Sequence, residues 1–157
     1  MLFSLGKKKN PRLAQLKSVS LFHDLKLSQL RIVNSLLHER NYLESELIFD
    51  QGDEGQALYI VASGKVRTHR DNQPDNKFVD FGPGDFFGEL ALLEDAPRST
   101  AARAVEDTVL LALFRTEFLA LLELHSSIGS VISYALARDL SRKLRKAIVS
   151  NENPTNL

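Results

Sequence analysis

Glu89 and Arg98 stand nine positions apart in "DFFGELALLEDAPRST" (residues 85–100), an acid and a base at the two ends of a mostly small or apolar stretch. A carboxylate only accepts hydrogen bonds, so Glu89 suits a vicinal hydroxyl such as a ribose 2′-OH. The planar donor fork of Arg98 suits a phosphate. Gly88 turns the chain into Glu89-Leu90-Ala91-Leu92-Leu93, expected to form a single helical turn. The first amides of such a turn have no internal partner and carry partial positive charge, so they hold anions. Pro97 fixes the approach of Arg98, Ser99 and Thr100 place hydroxyls beside it, and Ala91 and Ala96 let a ligand near the backbone. A ligand with one anionic phosphate and one sugar hydroxyl would occupy both ends. A second reading stands beside this one: Glu89 and Arg98 close the loop as an intramolecular ion pair, which if buried is weak evidence for stability.

Other chemistries find little support. The four histidines, at 23, 38, 69 and 125, share no ligand spacing, so no metal site is expected. There is no cysteine, hence no thiol nucleophile, and no G-x-S-x-G elbow. "GPGDFFG" is G-x-G-x-x-x-G, one residue off the dinucleotide fingerprint. The chain is therefore expected to be no enzyme and to carry no cofactor. Twenty Lys and Arg balance twenty Asp and Glu, which gives no whole-molecule attraction to nucleic acid or anionic membrane. The apolar Leu2, Phe3 and Leu5 precede the first lysines, the reverse of a signal peptide. A soluble, cytoplasmic protein with no membrane partner is expected.

The elements that must position the pair follow from the pattern. "GKKKNPR" (6–12) reads as a basic arm. Ser28 is expected to cap a helix with Leu30, Val33, Leu36 and Leu37 on one face. From Tyr42 onward, short apolar runs at 47–49, 57–62, 66–69, 78–81, 100–104 and 108–114 alternate with Gly, Asp, Asn and Pro turns at 50–55, 64, 71–76 and 82–85. That texture predicts an antiparallel sandwich or barrel. Thr116 is expected to cap a helix over 117–124, and a longer helix is expected from about 128 to 148. In that helix Ala137, Leu140, Leu144 and Ala147 form an apolar seam ringed by Arg138, Arg142, Lys143, Arg145 and Lys146. The expected fold is α+β, mainly β: an antiparallel β-roll, jelly-roll-like, with a short N-terminal helical section and a two-part C-terminal helical lid. The expected division is an arm and the start of the helical section over 1–19, one domain over 20–148 and a tail over 149–157.

The stretch Phe87-Gly88-Glu89-Leu90-Ala91-Leu92-Leu93, followed by Pro97-Arg98-Ser99-Thr100-Ala101, resembles the phosphate-binding cassette of cyclic-nucleotide-binding domains. That module is found in protein kinase A regulatory subunits, nucleotide-gated channels and the catabolite activator protein. The likeness extends through "FDQGDEGQALYIVASGKV" (49–66), "FGPGDFFGE" (81–89) and "LFHDLKLSQL" (21–30), and covers about residues 20–147. It implies that Arg98 pairs with the cyclic phosphate of cAMP or cGMP and Glu89 with the ribose 2′-OH. Backbone groups at Gly88, Leu90, Ala91 and Ser99 would complete the cradle. Thr100 departs from the alanine of many relatives and adds a β-branched hydroxyl near the ligand, and Ser99 does not separate cAMP from cGMP.

The resemblance further implies a non-enzymatic receptor in which ligand binding draws the C-terminal helix toward the pocket. Arg142 and Leu144 are the candidates to cap the base. Since the chain ends about ten residues past that helix, no helix-turn-helix and no DNA partner are expected. The receiver is instead expected to be an effector protein in trans, or a second copy of the chain docked through the basic C-terminal helix. A protein-interaction module with the same fold and no nucleotide is the alternative.

Overall fold

The computed structural model describes residues 10–71 and 77–151. The start of the basic arm, most of the turn expected at 71–76 and the end of the tail lie outside those residues. The described chain begins as a helix. Asn10 accepts a hydrogen bond from the Arg12 amide at 3.0 Å, and Pro11 sits in the first turn of α1 (Pro11–Ser18), where its missing N–H costs nothing. Leu13 and Leu16 are buried, so α1 belongs to the core although it precedes residue 20. Helix α2 (Leu27–Leu36) starts two residues earlier than a Ser28 cap would put it. The Gln29 side chain accepts from the Lys26 amide at 2.9 Å and satisfies that donor instead.

Eight strands follow among the described residues: β1 (His38–Tyr42), β2 (Leu47–Phe49), β3 (Ala57–Ser63), β4 (Val66–His69), β5 (Val79–Phe81), β6 (Phe86–Phe87), β7 (Ala101–Ala104) and β8 (Thr108–Phe114). They make two antiparallel four-stranded sheets, ordered β1-β8-β3-β6 and β2-β7-β4-β5. Strand β3 explains the layering. Leu58 and Ile60 point toward the helices, whereas Tyr59 and Val61 point between the sheets, where Phe49, Val66, Phe87, Ala102 and Leu110 meet them. Because both faces of β3 and β8 are covered, these strands read as continuous apolar runs without alternation.

The one-turn helix α3 (Leu90–Leu93) lies between β6 and β7. Helix α4 (Arg115–Leu124) starts directly at the end of β8, with Phe114 rather than Thr116 at its cap. Helix α5 (Ser126–Asn151) buries Ile128, Ile132 and Leu136, spaced i, i+4, i+8. The seam expected from Ala137, Leu140, Leu144 and Ala147 does not pack on the roll: from Ser141 to Ser150 every residue of α5 is exposed. The buried stripe ends at Leu136, so the second half of the helix projects past the sheets. No helix among the described residues is long and apolar enough to cross a membrane.

Gly64 closes the β3–β4 hairpin at φ +88°, and a Cβ there would meet Asp107 O at 2.5 Å. Gly64→Ala should therefore lower the unfolding free energy by roughly 1–3 kcal/mol in urea denaturation. Gly82→Ala, with open space and no left-handed φ, should be nearly neutral. Equal stability of the two variants would contradict this account of the turn.

Candidate functional site

The turn at 50–55 and the segment 97–98 hold each other. Gly52 N donates to Arg98 O at 2.8 Å, Arg98 N donates to Asp53 O at 2.7 Å, and Glu54 bridges Pro97. Arg98 is thereby aimed inward, under the roll's aromatic residues. Its Nη2 donates to Ala57 O at 2.8 Å and its Nη1 to Gly88 O at 3.2 Å. The Phe49 ring lies 4.1 Å from the guanidinium carbon and Tyr59 stacks on Phe87, with ring centroids 5.5 Å apart. Arg98 is 8% exposed, and burial pushes its pKa down, partly offset by Tyr59, Asp53 and Glu89. The Nε–H of this buried guanidinium has no hydrogen-bond partner among the described residues. Buried donors are normally satisfied, so an orphan on a cationic fork marks a place for an acceptor.

Glycines let this arrangement close. Gly88 adopts φ +73°, and a Cβ on it would lie 2.7 Å from Arg98 Nη1. A Cβ on Gly55 would lie 2.9 Å from Ala91 Cβ and 3.3 Å from Arg98 Nε. Glu89 caps α3 and is 8% exposed. It does not pair with Arg98. Its Oε1 accepts from Lys143 Nζ, reaching down from α5, so the loop-closing ion pair between Glu89 and Arg98 is not formed.

Gly88, Glu89, Leu90, Ala91, Arg98, Ser99 and Thr100 line one cleft of about 210 Å³, which brings together every cassette residue singled out from the sequence. Phe49, Phe81 and Phe87 form its apolar wall and Thr68 adds a hydroxyl. The two base-capping candidates do not reach it. Arg142 lines a separate cleft between α5 and the turn after α1, and Leu144 is 64% exposed. Lys143, between them, is the α5 residue that lines the cassette cleft. Burial alone would push its pKa down, but the hydrogen bond and charge of Glu89, together with Asp139, outweigh that and lift it. No sequence signal separates Lys143 from its four basic neighbours, because the rotation of α5 about its axis is set by Ile128, Ile132 and Leu136 far upstream.

Arg115 was also passed over in the sequence. Its Nη1 donates to Gly55 O at 3.0 Å, Ala91 O at 3.0 Å and Glu94 O at 2.9 Å. One guanidinium thus clamps the turn behind Arg98 and the carbonyl end of α3, where a cation is favoured by the helix dipole. No group of three or more His, Cys, Asp or Glu among the described residues could hold a metal ion.

The family model for the cyclic nucleotide-binding domain matches residues 39–125, which include strands β2 to β8 and the whole cassette. This chain belongs to the cyclic nucleotide-binding domain family. The cyclic AMP receptor protein of Thermus thermophilus is 44% identical over 135 residues, 84% of this chain and 60% of that protein. The crystal structure of the Thermus thermophilus catabolite activator protein matches with a TM-score of 0.76 at 42% identity, over 85% of this chain and 62% of that one. The N-terminal domain of a transcriptional regulator from Streptomyces coelicolor matches with a TM-score of 0.72 at 29% identity, over 82% of this chain and 94% of that domain. The chain thus spans less than two thirds of the curated relatives it matches.

These matches overturn the expectation that DNA is no partner. That expectation rested on where the chain ends, and the end of this module says nothing about what is joined to it. The same fold forms the N-terminal domain of a transcriptional regulator, so the exclusion of DNA in favour of an effector in trans falls.

Arg115→Met should cost about 1.5–3 kcal/mol of stability, because three carbonyls lose a charged donor, and Arg115→Lys should recover only part. Urea midpoints unchanged in both variants would show that the clamp carries nothing.

Proposed function

We propose that this cyclic nucleotide-binding domain is a receptor for a purine 3′,5′-cyclic nucleotide, cAMP or cGMP, that acts by binding and reports occupancy through α5. The observation that carries the proposal is the orphaned Arg98 Nε–H, buried in a cleft whose rim carries Glu89. A cyclic phosphate keeps one negative charge and two free oxygens, which an arginine fork can bind with two parallel hydrogen bonds. Ser99 and Thr100 add hydroxyls to the cleft lining, and Glu89 adds a carboxylate whose acceptor chemistry suits a 2′-OH. The phenylalanine wall excludes water from the phosphate, which strengthens the charge-assisted bonds. The Thermus thermophilus relative, named a cyclic AMP receptor protein, supports the same ligand class.

Reporting through α5 follows from placement. The exposed half of α5 overhangs the cleft and contributes one of its lining residues, Lys143. A ligand moves such a helix only by binding its docked and undocked positions with different affinity.

Calorimetric titration with cAMP and cGMP tests the reading. Binding of either is expected, with Arg98→Ala costing on the order of 2–5 kcal/mol because a phosphate charge is left unpaired. Glu89→Ala should weaken ribose ligands and leave their 2′-deoxy analogues unaffected. No heat with either nucleotide at millimolar concentration, or equal affinity in wild type and Arg98→Ala, would contradict the proposal.

A further inference from the structure

Lys143 sits where α5 has otherwise left the protein surface. Every residue from Ser141 to Ser150 is exposed, and the Lys143 side chain itself is only half covered. Its ammonium nevertheless turns back into the cassette cleft and donates to Glu89 Oε1. Two further contacts hold it there. Asp139, one turn earlier on α5, forms an ion pair with it, Oδ2 lying 3.0 Å from Nζ. The ring of Phe86 lies 5.7 Å from Nζ. A lysine gives up side-chain rotamer freedom when fixed, so one on an exposed helix face that is held by these contacts does more than solvate the surface.

The partner oxygen decides what that purpose is. A carboxylate has two oxygens and about four lone-pair sites, so engagement of Oε1 leaves Oε2 free to accept from a ligand hydroxyl. Holding Oε1 restrains the carboxylate of a residue that lines the cleft. Its positive charge also offsets that of Glu89, which is 8% exposed and stands in a cleft meant for an anionic ligand. With Lys143 removed, a buried carboxylate would face the nucleotide's negative charge with no cation on its own side.

We infer that Lys143 is a positioning residue for the sugar hydroxyl: it orients Glu89 through Oε1 and ties ribose recognition to the position of α5. The inference rests on the receptor reading above and extends it. A hydroxyl on Oε2 stabilises the same carboxylate orientation that Lys143 requires, so ribose binding and docking of α5 support each other, and by linkage the effect is reciprocal. Ligand discrimination and helix position are then two readings of one carboxylate.

The test compares Lys143→Met and Lys143→Arg with the wild type, by calorimetric titration with whichever of cAMP and cGMP the wild type binds and with its 2′-deoxy analogue. Lys143→Met should weaken the ribonucleotide by roughly tenfold and the deoxy analogue by much less, and Lys143→Arg should restore most of the difference. In a Glu89→Gln background, Lys143→Met should have little further effect, because the two residues act as one unit. Equal loss for both ligands, no loss, or tighter binding of the ribonucleotide would overturn the inference while leaving the receptor reading intact. A wild type that binds no cyclic nucleotide would overturn both, and so is told apart from failure of the inference alone.

Discussion

A guanidinium held almost out of water, with its Nε–H left unpaired, is the constraint around which the rest of this domain is arranged. Arg98 cannot be solvated where it stands, and the protein offers it two carbonyl oxygens and an aromatic face rather than a carboxylate. Neutral acceptors compensate a buried cation only in part, as the downward pressure of burial on its pKa shows. The unpaired Nε is the feature on which the proposed binding of an anion rests. An internal carboxylate at that position would have satisfied the arginine and abolished the site. Glu89, which lines the same cleft, is turned instead toward Lys143.

Such an arrangement survives only if the backbone around it cannot relax. The turn at 50–55 is stitched to Arg98 by two backbone hydrogen bonds, Gly55 and Gly88 allow contacts that a side chain would block, and Arg115 locks the far end of α3. These restraints come from four separate stretches of sequence, and the two sheets bring them together. The fold supplies rigidity around Arg98. On the Glu89 side, by contrast, the second half of α5 rests on little beyond the Lys143 contact. A rigid anchor at one end and a lightly held helix at the other suit a module that converts occupancy into displacement.

How far the sequence revealed this depends on what each element had to encode. Strands β2, β3, β4 and β8 were legible because turn residues bound apolar runs. The cassette was legible because its glycine, acid, proline and arginine are close in sequence and each has its own chemical reason. Strand β1 was not: "HERNY" is almost wholly exposed and polar, and pairs at the sheet edge only because β8 offers it a ladder. Arg115 was silent because its hydrogen-bond partners are backbone carbonyls, which leave no mark in residue types. The apolar seam on α5 has the spacing of a packing face, yet Leu144 and Ala147 stay exposed because the buried stripe stops at Leu136. The expectation about DNA failed for another reason: a domain's own residues do not encode what is attached to it.

The most direct test of the account is a crystal structure of the protein grown with saturating cyclic nucleotide. The account predicts phosphate oxygens within about 3.2 Å of the Arg98 guanidinium, with Nε paired, and the 2′-OH on Glu89. A nucleotide bound elsewhere, or a cleft in which Arg98 Nε remains unpaired beside bulk ligand, would contradict it.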